Sequence, residues 1–120
     1  MAKTPLFIYY AGCSTCKKAL AWLRAKKIDP TLRPIVEDTP TSAELKKWIA
    51  TSGLPIKRWL NTSGLSYRAL GKAKIDAMTN AQIVEALARD GKLVKRPVLV
   101  MDDNVLVGFD EKAYAATFKA

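Results

Sequence analysis

The sequence predicts an α/β fold, a small mixed sheet covered by helices. Three features point to it. Short apolar runs rich in β-branched or aromatic residues stand at residues 6–10, 98–101 and 105–107. Elsewhere apolar residues recur three and four positions apart, the spacing of one helical face. Two patterns that start helices, Thr41 with Glu44 and Thr79 with Gln82, stand ahead of such stretches.

The elements follow in order. Residues 6–10, LFIYY, read as a buried strand ending at Ala11-Gly12. A helix comes directly after it, because Cys16, Ala19, Leu20 and Leu23 share a face while Lys17, Lys18, Arg24 and Lys26 fall largely on others. It ends before Asp29-Pro30, since proline restricts the residue ahead of it and cannot join a helix interior. Residues 31–36 form a second strand, in which Pro34 argues against a fully paired central place.

After a turn at residues 37–40, the Thr41 box opens a helix with Leu45, Trp48 and Ile49 on its apolar face, ending near Ser52-Gly53. Residues 54–77 hold short periodic pieces, Ile56, Trp59 and Leu60, then Tyr67, Leu70 and Ile75. Gly53, Gly64 and Gly71 punctuate this stretch, which reads as a helical insertion. The Thr79 box leads into Ile83, Val84 and Leu87 and stops near Asp90-Gly91. Pro97 then precedes a strand at 98–101, Asp102-Asp103-Asn104 turns the chain, and 105–107 return. Asp110 caps a last helix carrying Ala113, Tyr114 and Phe118. With no internal repeat or low-complexity tract, residues 1–120 read as a single domain with a helical insertion at about 41–90.

Composition narrows the function classes. A chain that is 49% hydrophobic and 26% charged is ordinary for a soluble globular protein. No apolar run is long enough to span a bilayer, and the one that follows Met1 to Lys3 stops near Tyr10, too soon for a secretory signal. The expectation is a cytoplasmic protein without membrane contact. The formal charge of +9 attracts anions, acidic surfaces or nucleic acid in principle. Its lysines and arginines stand in scattered pairs with no basic tail or recognition motif. They read as a solvated basic surface, and no direct nucleic-acid binding is expected.

Both cysteines lie in YAGCSTCKK. A bridge across so short a loop restrains little of the unfolded chain, so this spacing reads as redox-active or metal-binding rather than as a staple. Zinc would need acidic ligands or a partner chain, because there is no histidine and no second cysteine pair; no metal is expected. The lack of histidine also removes any Cys–His arrangement and leaves electropositive activation. Cys13 stands where the strand ends, near the free N–H groups of residues 14–17, and Lys17 and Lys18 add positive potential. Both effects favour a thiolate, which makes Cys13 the nucleophile candidate. Cys16, in register with Ala19, Leu20 and Leu23, is either a small core residue or the resolving thiol.

Arg96-Pro97 is the second chemical feature. Alone it reads as a basic loop before an edge strand. Combined with the cysteine pair at another sheet end, Arg96 becomes a candidate for holding a carboxylate or oxyanion. The candidate catalytic residues are therefore Cys13, Cys16 and Arg96. The candidate substrate-binding residues are Tyr10, Gly12, Ser14, Thr15, Asn61 and Pro97. Tyr10 can equally finish the strand, and Asn61-Thr62-Ser63-Gly64 is adequately explained as a polar turn.

The same residues carry a family resemblance. YAGCSTCKKALAWL, the helix entry at residues 40–45, Asn61-Thr62-Ser63-Gly64 with Tyr67 and Leu70, and residues 90–97 on to Val107-Gly108-Phe109 together resemble the arsenate reductase family of glutaredoxin-like proteins. That family includes the Spx-type regulators, and the resemblance runs from about Phe7 to Phe118. It implies a thioredoxin-like fold, Cys13 in the nucleophilic position, Arg96 as the oxyanion-binding arginine, and a cis bond at Pro97. In the glutathione-dependent reductases the cysteine attacks arsenate, glutathione attacks the adduct, and glutaredoxin helps release arsenite.

This chain departs from those enzymes at two positions. Asn61 stands where they carry a further substrate-facing arginine, and Gly108 and its neighbours supply none near the return strand. The added Cys16 resembles the Spx-like branch, whose regulators use such a pair as a redox switch while binding RNA polymerase. Residues 61–64 and 90–91 look more like an enzyme-like branch. The expected function is a thiol-dependent oxidoreductase in which Cys13 attacks a disulfide, a glutathionylated thiol or an oxyanion, and Cys16 or glutathione resolves the intermediate. The alternative is an Spx-like redox-sensing regulator that binds RNA polymerase. Further expectations are a reversible, redox-active Cys13–Cys16 disulfide, no tightly bound cofactor and glutathione as co-substrate. Glutaredoxin or thioredoxin is expected as reductant, and the chain as a monomer.

Overall fold

Alternation along short strands sends side chains to both faces of one sheet, and both faces are covered. The computed structural model describes residues 4–119; Met1 to Lys3, which open the N-terminal stretch read above, and Ala120 lie outside the described residues. The strands are β1 (Leu6–Tyr9), β2 (Thr31–Pro34), β3 (Val98–Val100) and β4 (Val105–Val107). Their order in the sheet is β2-β1-β3-β4, with β2 parallel to β1 and the other two pairings antiparallel. In register across the sheet, Leu32 meets Phe7, Phe7 meets Leu99, and Leu99 meets Leu106.

The helices are α1 (Ser14–Ala25), α2 (Ser42–Ser52), α3 (Leu65–Leu70), α4 (Lys72–Asp76), α5 (Asn80–Arg89) and α6 (Glu111–Phe118). On one face Phe7 and Leu99 pack with Cys16, Ala19 and Leu23 of α1 and Tyr114 of α6. On the other, Ile8, Val98 and Val105 pack with Leu45 and Trp48 of α2, Trp59, and Ile83, Val84 and Leu87 of α5. The result is the expected mixed sheet flanked by helices with an inserted helical region, a thioredoxin-like α/β fold. Both capping boxes form: Thr41 and Thr79 accept from the N–H groups of Glu44 and Gln82, whose side chains reach back to the cap residues.

Three strand limits differ from the sequence expectation. β3 stops at Val100 rather than at Met101, whose N–H donates to the Asn104 carbonyl at 2.9 Å in the turn. β1 stops at Tyr9, because the Tyr10 carbonyl accepts the Cys13 N–H at 3.0 Å and turns the chain into α1. β2 ends at Pro34 rather than at Val36, because the Pro34 carbonyl takes the Asp38 N–H at 2.9 Å and starts the next turn. Its edge position agrees with the reading of Pro34.

The inserted region is tied back to the segment before β3 by backbone bonds. A 3-10 turn (Ile56–Trp59) leads into an isolated antiparallel bridge between Leu60 and Val94. Lys95 donates its N–H to the Trp59 carbonyl, and Asn61 donates to the Leu93 carbonyl, both at 2.8 Å. Asn61 is thereby held one residue along from the bridge, and Arg96 stands two residues past Val94 on the other side.

At the sheet edge, Arg33 grips Glu44 with both ends of its fork, at 2.8 and 2.9 Å, and its Nε donates to the Asp38 carbonyl at 2.9 Å. These bonds to Arg33 hold the Glu44 carboxyl at about 2, below its ordinary 4.5. A depressed carboxylate stabilises the fold fully above its ordinary value and loses that contribution as pH falls through the folded one. Glu44→Gln should therefore cost about 1 kcal/mol near neutral pH, a figure kept small by solvent screening. Thermal melts across pH check it: the gap between wild type and variant should close as pH falls from about 4.5 towards 2.

Candidate functional site

Cys13 is the N-cap of α1, in extended backbone conformation, and its Sγ accepts the Cys16 N–H at 3.2 Å. A cap position normally takes a side-chain oxygen. Here a sulfur fills it, so a donor and the positive end of a helix support negative charge on the thiol best placed to react. Cys13 is half-buried, whereas Cys16 is buried one turn further in and only 3% exposed. Both are free thiols. Burial pushes the Cys16 thiol up to about 12, its hydrogen bond with Cys13 adds to the push, and the Arg96 charge works against it. The pair is therefore unequal: the outer sulfur is half-buried and accepts an amide N–H, and the inner one is buried and keeps its proton.

Tyr114 shares the apolar cluster with Cys16, and its hydroxyl donates to the Gly108 carbonyl at 3.3 Å. Burial raises its phenol well above the ordinary range. Sequence reasoning placed Tyr114 on the last helix but gave no sign that it neighbours the thiol.

Arg96 approaches from β3. Its peptide bond to Pro97 is cis, as the resemblance implies, and Pro97 is buried. The guanidinium lies over the Tyr10 ring, 4.6 Å from its centroid, and Nη1 donates to the Lys92 carbonyl at 3.1 Å. Asn61 Nδ2 donates to that same carbonyl at 3.3 Å, and Asn61 Oδ1 accepts from Ser63 at 3.2 Å. Gly12 lies against the Tyr10 ring, where an added Cβ would come within 3.2 Å of it. The structure thus brings Tyr10, Gly12, Asn61 and Arg96 together. Ser14 and Thr15 sit exposed in the first turn of α1 beside Cys13. The Lys92 carbonyl was not foreseen, and no side-chain pattern announces a backbone acceptor. Among the described residues no group of three His, Cys, Asp or Glu side chains could hold a metal ion. No helix among them is long and apolar enough to cross a membrane.

Residues 9–117 match the ArsC family. The chain belongs to the ArsC family. Its structure superposes on an ArsC family related protein from Bacteroides fragilis with a TM-score of 0.92 and 46% identity, covering 97% of this chain and 98% of the other. It is 39% identical over 109 residues to the Bacillus subtilis protein YusI, spanning 90% of this chain and 92% of that one. It is 31% identical to the regulatory protein MgsR of the same bacterium, over 87% of this chain and 82% of MgsR. The chain has the redox-active, glutaredoxin-like fold of the thioredoxin superfamily, and its own CxxC spacing stands at the start of α1.

The unequal burial of the thiols has a direct readout. In the native reduced protein at neutral pH, iodoacetamide should modify Cys13 about tenfold or more faster than Cys16. In Cys13→Ser the remaining thiol should stay protected until the chain is unfolded. Peptide mass spectrometry of the alkylated protein measures both.

Proposed function

We propose that this chain is a redox-responsive thiol protein whose Cys13–Cys16 pair closes and opens to control binding to another protein, with RNA polymerase as the partner. The observation that carries the thiol chemistry is the Cys16 amide on the Cys13 sulfur at 3.2 Å, with the Cys16 side chain buried behind it. The Cys13 thiolate attacks one sulfur of an oxidised disulfide and expels the other as a thiolate, leaving a mixed disulfide. Cys16 then loses its proton and attacks Cys13, closing the internal bridge and releasing the bound thiol. Two electrons pass from the protein to the disulfide. Glutathione, glutaredoxin or thioredoxin returns them, which requires a reducing compartment such as the cytoplasm.

Likeness to MgsR, whose name is that of a regulator, favours a regulatory output over steady turnover. Arsenate reduction fits less well. Asn61 spends its amide on the Lys92 carbonyl and brings no positive charge, and Gly108 brings none either. A second reading keeps the same Cys13 chemistry but makes it a turnover oxidoreductase using glutathione. Arg96 favours it, since a planar guanidinium resting on the Tyr10 ring with most of its donors uncommitted suits a glutathione carboxylate.

Capture of RNA polymerase by the full chain under reducing and oxidising conditions tests the proposal. Wild type should differ between the two states by about tenfold in affinity, a common size for a coupled switch. Cys13→Ser and Cys16→Ser should each bind alike in both states. Absence of polymerase in both states sinks the regulatory reading. Turnover of a glutathionylated substrate that Cys13→Ser abolishes would then establish the second.

A further inference from the structure

Arg96 is held from two sides, and each side depends on a glycine. On the first, the Tyr10 ring carries the guanidinium at 4.6 Å, within the range of a cation–π contact. The ring has room there because Gly12 lacks a Cβ, which would stand 3.2 Å from its Cε2 atom. On the second, the Lys92 carbonyl accepts from Arg96 at 3.1 Å and from Asn61 at 3.3 Å. The Asn61 amide fits because Gly64 lacks a Cβ, which would lie 2.6 Å from Nδ2. The Asp90 carboxylate accepts the Lys92 N–H at 3.0 Å and steadies the same segment. Neither Gly12 nor Gly64 has the left-handed backbone that glycine alone adopts readily, so close approach is the reason for a glycine at both places.

We infer that Tyr10 and Asn61 are positioning residues that hold the Arg96 guanidinium beside the Cys13–Cys16 pair, with Gly12 and Gly64 clearing the space each needs. The inference rests on the thiol reading above and deepens it. Asn61 stands among the candidate substrate-binding residues, yet its amide is committed inside the protein, so it acts on the thiols through Arg96. Tyr10, whose ring carries Arg96, accepts the Cys13 N–H through its carbonyl at 3.0 Å, and the Arg96 charge opposes the effect of burial on Cys16. A guanidinium that loses the Tyr10 face or the fixed Lys92 carbonyl moves among rotamers, and its average field at the sulfurs weakens.

The test is the pH profile of Cys13 alkylation in the full reduced chain, using iodoacetamide and peptide mass spectrometry, with thermal melts to verify folding. Arg96→Ala should move the profile upward, the direction in which losing a neighbouring positive charge acts on a thiol. Tyr10→Leu, Asn61→Ala and Gly64→Ala should each move it in the same direction by less. Tyr10→Phe, which keeps the aromatic face, should leave it in place. Neither Tyr10→Leu nor Asn61→Ala should add to Arg96→Ala in the double variants. Additive shifts in the doubles, or an unmoved profile in both Tyr10→Leu and Asn61→Ala, overturn the inference.

A second measurement stands apart from thiol reactivity. The NMR signal of the Arg96 Nε–H should show a ring-current shift in wild type and Tyr10→Phe that disappears in Tyr10→Leu; its absence in wild type overturns the cradle. If Cys13 proves no more reactive than Cys16 while this signal behaves as expected, the thiol reading fails and the cradle stands.

Discussion

Everything in this molecule depends on two neighbouring residues of β1, Phe7 and Ile8, which are both fully buried and point to opposite faces of the sheet. Each removes enough apolar surface from water to contribute about 1.5–3 kcal/mol, and neither can do so unless its own face is covered. The strand must therefore lie between two layers. α1 and α6 supply one, and α2, α5 and the inserted segment around Trp59 supply the other. Once β1 is fixed in this way, its C-terminal end, where Tyr10 leads to Cys13, is fixed too. The end of the sheet that carries the cysteine pair is set by the packing of β1.

That arrangement also divides the cysteines. Cys16 falls on the same stripe of α1 as Ala19 and Leu23, so burying the helix buries the second thiol. Cys13, at the cap, stays at the boundary. Two chemically identical side chains three positions apart acquire different surroundings because one belongs to the core and the other to the helix end. The same logic separates Arg33 from Arg96. Arg33 spends its fork on Glu44 and serves the sheet edge. Among the described residues, Arg96 makes one hydrogen bond to a carbonyl and otherwise rests on a ring, so most of its donors are uncommitted within the protein.

Local chemistry was readable in the sequence, and long-range backbone geometry was not. The capping boxes at Thr41 and Thr79, the return hairpin after Asp102 and the edge position hinted by Pro34 all follow from interactions within a few residues. The inequality of Cys13 and Cys16 was legible for the same reason, since helical register alone carries it. The break between α3 and α4 at Gly71, with φ of +88°, could be expected only as punctuation, because α3 buries no residue wholly and leaves little periodic signal. The bridge from Leu60 to Val94 joins residues far apart in the chain, and nothing in either segment names the other. Without that bridge the nearness of Asn61 to Arg96 has no local sign.

The acceptor shared by Arg96 and Asn61 belongs to the main chain of residue 92, while the lysine side chain itself is exposed. Side-chain replacement at this position leaves the oxygen where it is. Proline is the exception, since it would remove the N–H that Asp90 holds. Relatives that keep the path of the chain through residues 90–96 can therefore vary freely at position 92 and still present the same carbonyl. A comparison that scores residue identity alone would pass over the point on which the site turns.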